Sequence, residues 1–495
     1  MTEKLAVSPA RPTTEPETPS QDGANLVGFY HAEFGQGEVV RRLAEAFRHA
    51  NVPFAAVPLR EIPHRYIPHR QDHPFPVDAS EPSFDVNVLC LNAEHVVAYA
   101  ETIGRDVLAD RYTIGVWFWE TETFPESLLP ALDYVDEVWV ASDFVASAIR
   151  AETWKPVLTF PLPVSEPGVV PISRDELGVP EGSFLFTFVF DFFSTVERKN
   201  PAALVEAFVR AFEPGSGAHL LIKTINGDKR AGELDRLTAA ADRHPDVSIH
   251  DGYLPTDKVT GLTATADCYV SLHRSEGFGL TIAEALALGK PTIATAYSGN
   301  LTFMDADGSY LVPYRLDPVP EGAGPYPAGA LWADPDIEAA SALMREVFER
   351  PEEALRRAAH GRETVLRRQS TERTVAFLGE RLPQIARAER RRRRSNSPAR
   401  RAMAFLQAGP TTGWEAPSRF GLFGRVYRSI LQRLLRPYVV RQREFERAVA
   451  AALEQAEAVA QHHRDELDRL RQVVSELERR HDRPTGSRDQ SSGQK

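Results

Sequence analysis

Two successive series of short apolar runs alternate with segments of helical period, and a stretch dense in proline and glycine, PLPVSEPGVVPISRDELGVPEG, separates them. Such alternation leaves a chain few options. Strands buried on both faces read as continuous apolar runs, and each amphipathic helix that follows must cover the sheet it leaves, so the product is a parallel sheet flanked by helices. The first series opens with NLVGFYHA and GEVVRRLAEAFRHA, in which Val40, Leu43, Ala44 and Phe47 share one helical face. It continues through FDVNVLCLN and EHVVAYAETIG, YTIGVWFWE and FPESLLPALDYVD, then EVWVAS and DFVASAIRAE. The second comprises FLFTFVFDF, PAALVEAFVRAF, AHLLIKTI, a polar helix near Ala231 to Asp242, DVSIHDGYL, ADCYVSLH, a short apolar helix and KPTIATAYS. The pattern predicts an α/β protein of two Rossmann-like domains, 25–165 and 166–386. Open parallel sheets bind ligands beyond the carboxyl ends of their strands, so two such domains face each other across a cleft.

Composition bounds the remainder. Residues 1–24, rich in Pro, Thr, Ser and Glu, read as a disordered N-terminus without a signal peptide. No segment approaches the roughly 20 apolar residues of a membrane span. The only cysteines, Cys90 and Cys268, sit in apolar runs and read as core residues, consistent with a reducing cytoplasm. The net charge of −11 is uneven, because ERRRRRSNSPARR lies between Arg387 and Arg401. We assign 387–418 as a basic linker, 419–482 as a helical tail and 483–495 as disordered. In the tail, Phe423, Val426, Tyr427, Ile430, Leu431, Leu434 and Leu435 form an apolar face, with Arg425, Arg428, Arg433 and Arg436 elsewhere, the pattern of a basic amphipathic helix on a membrane surface. From Val449 to Leu477 apolar positions recur by fours and threes, a coiled-coil seam that would pair two subunits. Acidic net charge and the lack of a recognition module argue against nucleic acid.

The segment HRSEGFGLTIAEALALGKPT, His273 to Thr292, carries Glu276 and Glu284 at either end of a glycine-bearing turn and a short helix. The helix is expected over Thr281 to Leu288, stopping at Gly289 with Pro291 beyond. Thr281-Ile-Ala-Glu284 matches a capping box, in which Glu284 bonds back to the backbone at Thr281; a ligand role stands open beside it. Glu276 precedes the helix, at a strand end. Free N–H groups and the positive dipole end of the helix suit a diphosphate. A carboxylate there would repel phosphate, and suits sugar hydroxyls instead.

EGFGLTIAE resembles the E-x7-E element of retaining GT-B glycosyltransferases of the group 1 or family 4 type, and the resemblance extends through most of Asn25 to Leu382. It implies that Glu276 lies against the transferred sugar and Glu284 on the nucleotide ribose, with Gly277, Phe278, Gly279 and Leu280 as the donor-binding turn. FVFDFFSTVERKNPAALVEAF resembles the family's loop whose basic residue grips the donor diphosphate, which implies Lys199 with Arg198 beside it. YSGN around Gly299 also fits, and VWFWETETFP with DEVWVAS resembles a polysaccharide-assembly branch. Two departures stand out. Asp191 follows Phe190 where many relatives carry Gly-Arg, so part of the grip must come from elsewhere, with Lys223 as candidate. Glu120 stands where relatives often place a histidine beneath the donor sugar.

Gly35 and Gly37, in GFYHAEFGQGEVVRR, mark a strand-to-helix turn able to approach phosphates or acceptor, although a tight turn explains them nearly as well. His31 and Glu33 could line the acceptor side, and His273 could contact donor or serve structure. His64, His69 and His73 lack a fixed metal-ligand spacing, and no metal is expected. The resemblance thus implies a metal-independent hexosyltransferase. Its donor would be a UDP- or GDP-sugar and its acceptor a glycan or lipid-linked glycan of the cell envelope, reached at the inner membrane face. Two alternatives remain: a non-catalytic sugar-nucleotide-binding scaffold and a nucleotide-sugar epimerase.

Overall fold

The computed structural model describes residues 23–32, 34–59, 82–103, 108, 111–166 and 168–394. Glu33, the histidines at 64, 69 and 73, and the tail motifs between Phe423 and Leu477 lie outside these residues. The chain divides into two compact units, Met1–Ala386 and Arg387–Lys495, and both sheets belong to the first.

The N-terminal sheet contains β1 (Ala24–Gly28), β2 (Phe54–Pro58), β3 (Val86–Cys90), β4 (Tyr112–Trp117), β5 (Glu137–Val140) and β6 (Val157–Thr159), ordered β2-β1-β3-β4-β5-β6 with every pair parallel. The second contains β7 (Phe184–Asp191), β8 (Ala218–Ile225), β9 (Val247–Asp251), β10 (Cys268–Ser271), β11 (Thr292–Thr295) and β12 (Tyr310–Val312), ordered β12-β11-β10-β7-β8-β9, again parallel. Chain order reverses between β1 and β3 in the first sheet and between β7 and β10 in the second. At such switch points consecutive connections leave to opposite faces and open a crevice.

The apolar patterns explain both layers. In helix Gly35–His49, Val40, Leu43, Ala44 and Phe47 are all fully buried, as the helical period requires. In β7, Phe184, Phe186, Phe188 and Phe190 fall on alternate positions and stack along one face, 5.0 Å apart for the first pair and 5.5 Å for the last. Cys90 and Cys268 are buried free thiols in β3 and β10.

Two features differ from the expectation. FPESLLPALDYVD forms a 3-10 helix, Glu126–Tyr134, in which the ring of Pro130 avoids the clash it would make with the carbonyl of Glu126 in an α-helix. The helix Thr371–Arg394 leaves the second domain and packs on the first, with the Phe377 ring 4.9 Å from that of Trp139. There Arg381 pairs with Glu137, a carboxylate in β5 that has no exposure and also accepts from Trp139 Nε1 at 2.7 Å and Tyr112 Oη at 2.9 Å. The same helix, with Pro383 inside it, extends through Arg394 into the segment expected to be linker.

Candidate active site

Between the sheets lies a cleft of about 760 Å³, walled on one side by the residues that follow β1, β3 and β4 and on the other by those that follow β7, β8 and β10. Glu276 sits at its floor, 8% exposed. One carboxylate oxygen accepts from Arg198 Nη1 at 3.0 Å and the other from Lys199 Nζ at 2.5 Å. Burial alone would raise its pKa, but Lys199 and Arg198 outweigh burial and hold it at about 2. Burial in turn pulls the Lys199 ammonium below an ordinary lysine, with Glu276 opposing and Arg198 reinforcing. Arg198 further donates to the carbonyls of Ser275 (2.8 Å) and Ser194 (3.1 Å), while its buried Nε–H has no partner among the described residues. An orphaned charged donor beside an open cleft is a group awaiting an anionic or hydroxylic ligand.

The turn bearing Glu276 is built by YSGN. The Glu276 amide donates to Ser298 Oγ at 2.8 Å, and the Gly299 amide donates to the Glu276 carbonyl at 2.8 Å. A Cβ on Gly299 would fall 2.2 Å from the Gly277 carbonyl oxygen, so only glycine fits. Ser298 and Thr195, one in each loop beneath the carboxylate, hold left-handed φ of 77° and 61°, a concentration of strain usual for functional loops. Gly279, at φ 88°, caps helix Leu280–Ala287 without any side-chain cap. The helix therefore starts one residue earlier than expected and the capping box does not form. Glu284 instead turns to the other domain and accepts from Arg42 Nη2 at 2.5 Å, and burial raises its pKa against Arg42's pull.

The structure sorts the other candidates. Gly277, Gly279 and Leu280 line the cleft. Phe278 lines it too, yet the residue is 3% exposed and its ring packs 4.9 Å from that of Phe303, so the side chain belongs to the core. Lys223 lines the cleft but is deeply buried. It is 1% exposed with its ammonium donating to the carbonyls of Thr224 (2.6 Å) and Gly252, and burial brings its pKa down to about 8. These bonds turn the ammonium toward backbone carbonyls, and the exposed cation among the residues lining that wall is Arg230. Gly35 opens on the cleft with no atom near a hypothetical Cβ, whereas at Gly37 that Cβ would meet the Ala32 carbonyl oxygen at 2.3 Å, so Gly37 serves the turn. Glu120 lines the cleft, accepts from Tyr326 Oη at 3.0 Å, and has its pKa raised by burial despite Arg198.

His273 proves structural. Its Nε2 faces two acceptors, Asn300 Oδ1 at 3.2 Å and the Tyr297 carbonyl at 3.4 Å, so that nitrogen carries the proton and Nδ1 accepts from Ser271 Oγ at 3.1 Å. Sequence reasoning missed Arg42, Tyr326, and Ser142, whose Oγ donates to the Gly277 carbonyl at 2.7 Å across the cleft. No local pattern announces them. Among the described residues Asp305, Asp307 and His360 bring ligand atoms within 4.8 Å of one another, but none of them lines the cleft.

Residues 170–364 match the family model described as glycosyl transferases group 1. The D-inositol 3-phosphate glycosyltransferase of Arthrobacter sp. (strain FB24) is 33% identical over 141 residues, 28% of this chain, and the match spans only 32% of that relative's length. The Anabaena protein HepE, solved with UDP and glucose, superposes with a TM-score of 0.56 at 13% identity, covering 73% of this chain and 100% of that one. The sucrose-phosphate synthase of Thermosynechococcus elongatus gives 0.55 at 17%, covering 74% and 100%. At such identities the superpositions speak for the fold, which is GT-B. The part of the chain that matches the group 1 glycosyl transferases, residues 170–364, includes the loops that hold Lys199, Glu276 and Glu284.

Proposed function

We propose that this protein transfers a hexose from a UDP- or GDP-sugar to a glycan or lipid-linked glycan acceptor, with retention of anomeric configuration and without a metal. The observation that carries the proposal is the Glu276 carboxylate bracketed by Lys199 and Arg198 at the cleft floor, one turn from an uncapped helix N-terminus. Glycosyl transfer gathers positive charge on the sugar ring and negative charge on the departing diphosphate. Glu276 faces the first, while Lys199, Arg198 and the amides opening helix Leu280–Ala287 meet the second, each well-placed donor contributing on the order of 3 kcal/mol. Because these groups are fixed before the donor arrives, little reorganisation accompanies the reaction. Glu284, 30% exposed at its side chain, has one oxygen without a partner among the described residues, open to a ribose hydroxyl, while Arg42 holds the other. The UDP complex of the Anabaena neighbour supports a uridine nucleotide, and the inositol-phosphate relative supports a polyol acceptor.

The experiment is thermal stabilisation of the wild type and of Glu284→Ala by UDP-, GDP- and ADP-sugars. A donor that shifts only the wild type, by the few kcal/mol expected at a hundredfold excess over Kd, identifies the nucleotide and the ribose ligand; no shift with any donor refutes the proposal. Incubating that donor without acceptor separates transferase from epimerase, and failure of any acceptor to yield product would favour the scaffold. Among the described residues no helix is long and apolar enough to cross a membrane. The basic face between Phe423 and Leu435 and the heptads from Val449 to Leu477 support a peripheral seat on anionic lipid and subunit pairing. Vesicle sedimentation and the oligomeric state of the full chain test these two readings.

A further inference from the structure

The chain leaves β4 through FWETETF and β5 through ASDF, so both connections bring polar side chains to the carboxyl edge of the first sheet. Ser142 has extended backbone; its Oγ accepts from the Val145 amide at 3.3 Å and so caps helix Asp143–Arg150. A hydroxyl has one proton to give, and this one crosses to the second domain, donating to the Gly277 carbonyl at 2.7 Å, on the residue that follows Glu276. The first domain also packs closely there. A Cβ on Gly277 would lie 3.3 Å from Phe118 Cβ and 3.4 Å from the Trp119 amide nitrogen.

A second bond reaches the neighbouring turn. Tyr297 Oη donates to Glu122 Oε1 at 3.1 Å, and the Tyr297 ring, itself buried, lies 5.4 Å from that of Phe144. Tyr297 opens the turn in which Ser298 and Gly299 bond the amide and carbonyl of Glu276. A turn with Ser298 at φ 77° persists only where its surroundings over-determine it, and the bond to Glu122 supplies part of that hold. Neither Ser142 nor Glu122 lines the cleft, so neither is placed to touch a donor. We propose that both are positioning residues for transfer: from the ends of β5 and β4 they fix the two turns that carry Glu276, so the placement of that carboxylate depends on the first domain. The inference rests on the transferase reading.

Hydrogen exchange of the full chain without ligand tests the coupling, in the wild type, Ser142→Ala, Glu122→Ala and Tyr297→Phe. The Glu276 and Gly299 amides are expected to exchange about fivefold faster in each variant, with those of β7 and β8 unchanged. Ser142→Ala also uncaps helix Asp143–Arg150, whereas Glu122→Ala and Tyr297→Phe delete one bond from its two sides and leave that cap intact. Release of nucleotide from the UDP-, GDP- or ADP-sugar that stabilises the wild type tests the positioning, with kcat taken per donor-binding site counted by isothermal titration. It is expected to fall about tenfold in Ser142→Ala and about threefold in the other two, with KM within about twofold of wild type. Unchanged exchange at both amides in every variant overturns the inference and leaves the transferase reading intact. So does faster exchange in Ser142→Ala alone, which the lost cap accounts for, or faster exchange with unchanged kcat, which would make the two bonds supports of the domain interface. If the wild type binds or turns over none of these donors, the transferase reading falls and the inference with it.

Discussion

Glu276 keeps its charge at 8% exposure because two cations bracket it, and that arrangement ties stability to pH. Its pKa falls from 4.5 to about 2 on folding, so its contribution is complete above about pH 4.5 and is lost as pH drops through 2. Acid titration of stability should therefore be steeper in wild type than in Glu276→Gln across that window; parallel curves would contradict the ion pairing. With Lys199 in the proposed role on the donor diphosphate, Lys199→Ala should lower kcat/KM for the identified donor by about 10²- to 10³-fold, measured by single-turnover transfer. Arg42→Met leaves Glu284 and Glu38 short of a partner and should cost about 3 kcal/mol in chemical denaturation. Glu276, Arg198 and Lys199 were legible because strand-end position, residue type and motif agreed. Arg42 was not, because its contact with Glu284 spans 242 residues and exists only once the domains meet.

Among the elements, the turn from Glu276 to Gly279 depends on a second turn, Tyr297 to Asn300, that buttresses it from behind. Gly299→Ala would drive a methyl into the Gly277 carbonyl oxygen and should lose about 1–3 kcal/mol of stability together with donor binding. Equal melting of variant and wild type would show that the turn can yield. Long, strongly patterned elements were legible: the phenylalanine row of β7 has a period of two and helix Gly35–His49 a period near four. The three-residue strands β6 and β12 were not, since so few residues carry no measurable period. The capping box failed for a related reason. Gly279 in the left-handed region starts the helix at Leu280, which makes Thr281 a helical residue; its hydroxyl accepts from Tyr269 Oη at 2.8 Å.

At the scale of the whole molecule, the helix Thr371–Arg394 binds the first domain to the end of the second. A chain ending after Ala386 should retain the wild-type melting of the two-sheet unit. One ending after Ser370 removes Arg381 and Phe377, leaves Glu137 buried without its cation, and should lose about 3–5 kcal/mol or fail to fold; circular dichroism melts of both truncations decide this. The sequence by itself determined two parallel-sheet domains, the glycine turn with its paired carboxylates and the basic pair that follows β7, because each is written in adjacent residues through periodicity and spacing. Only the tertiary structure decided that the Lys223 ammonium donates to carbonyls, that Arg42 occupies Glu284, that Tyr326 reaches Glu120 and that the last helix returns to the first sheet. Those outcomes depend on which surfaces meet when the domains close, and burial then fixes the charge and partner of every side chain caught between them.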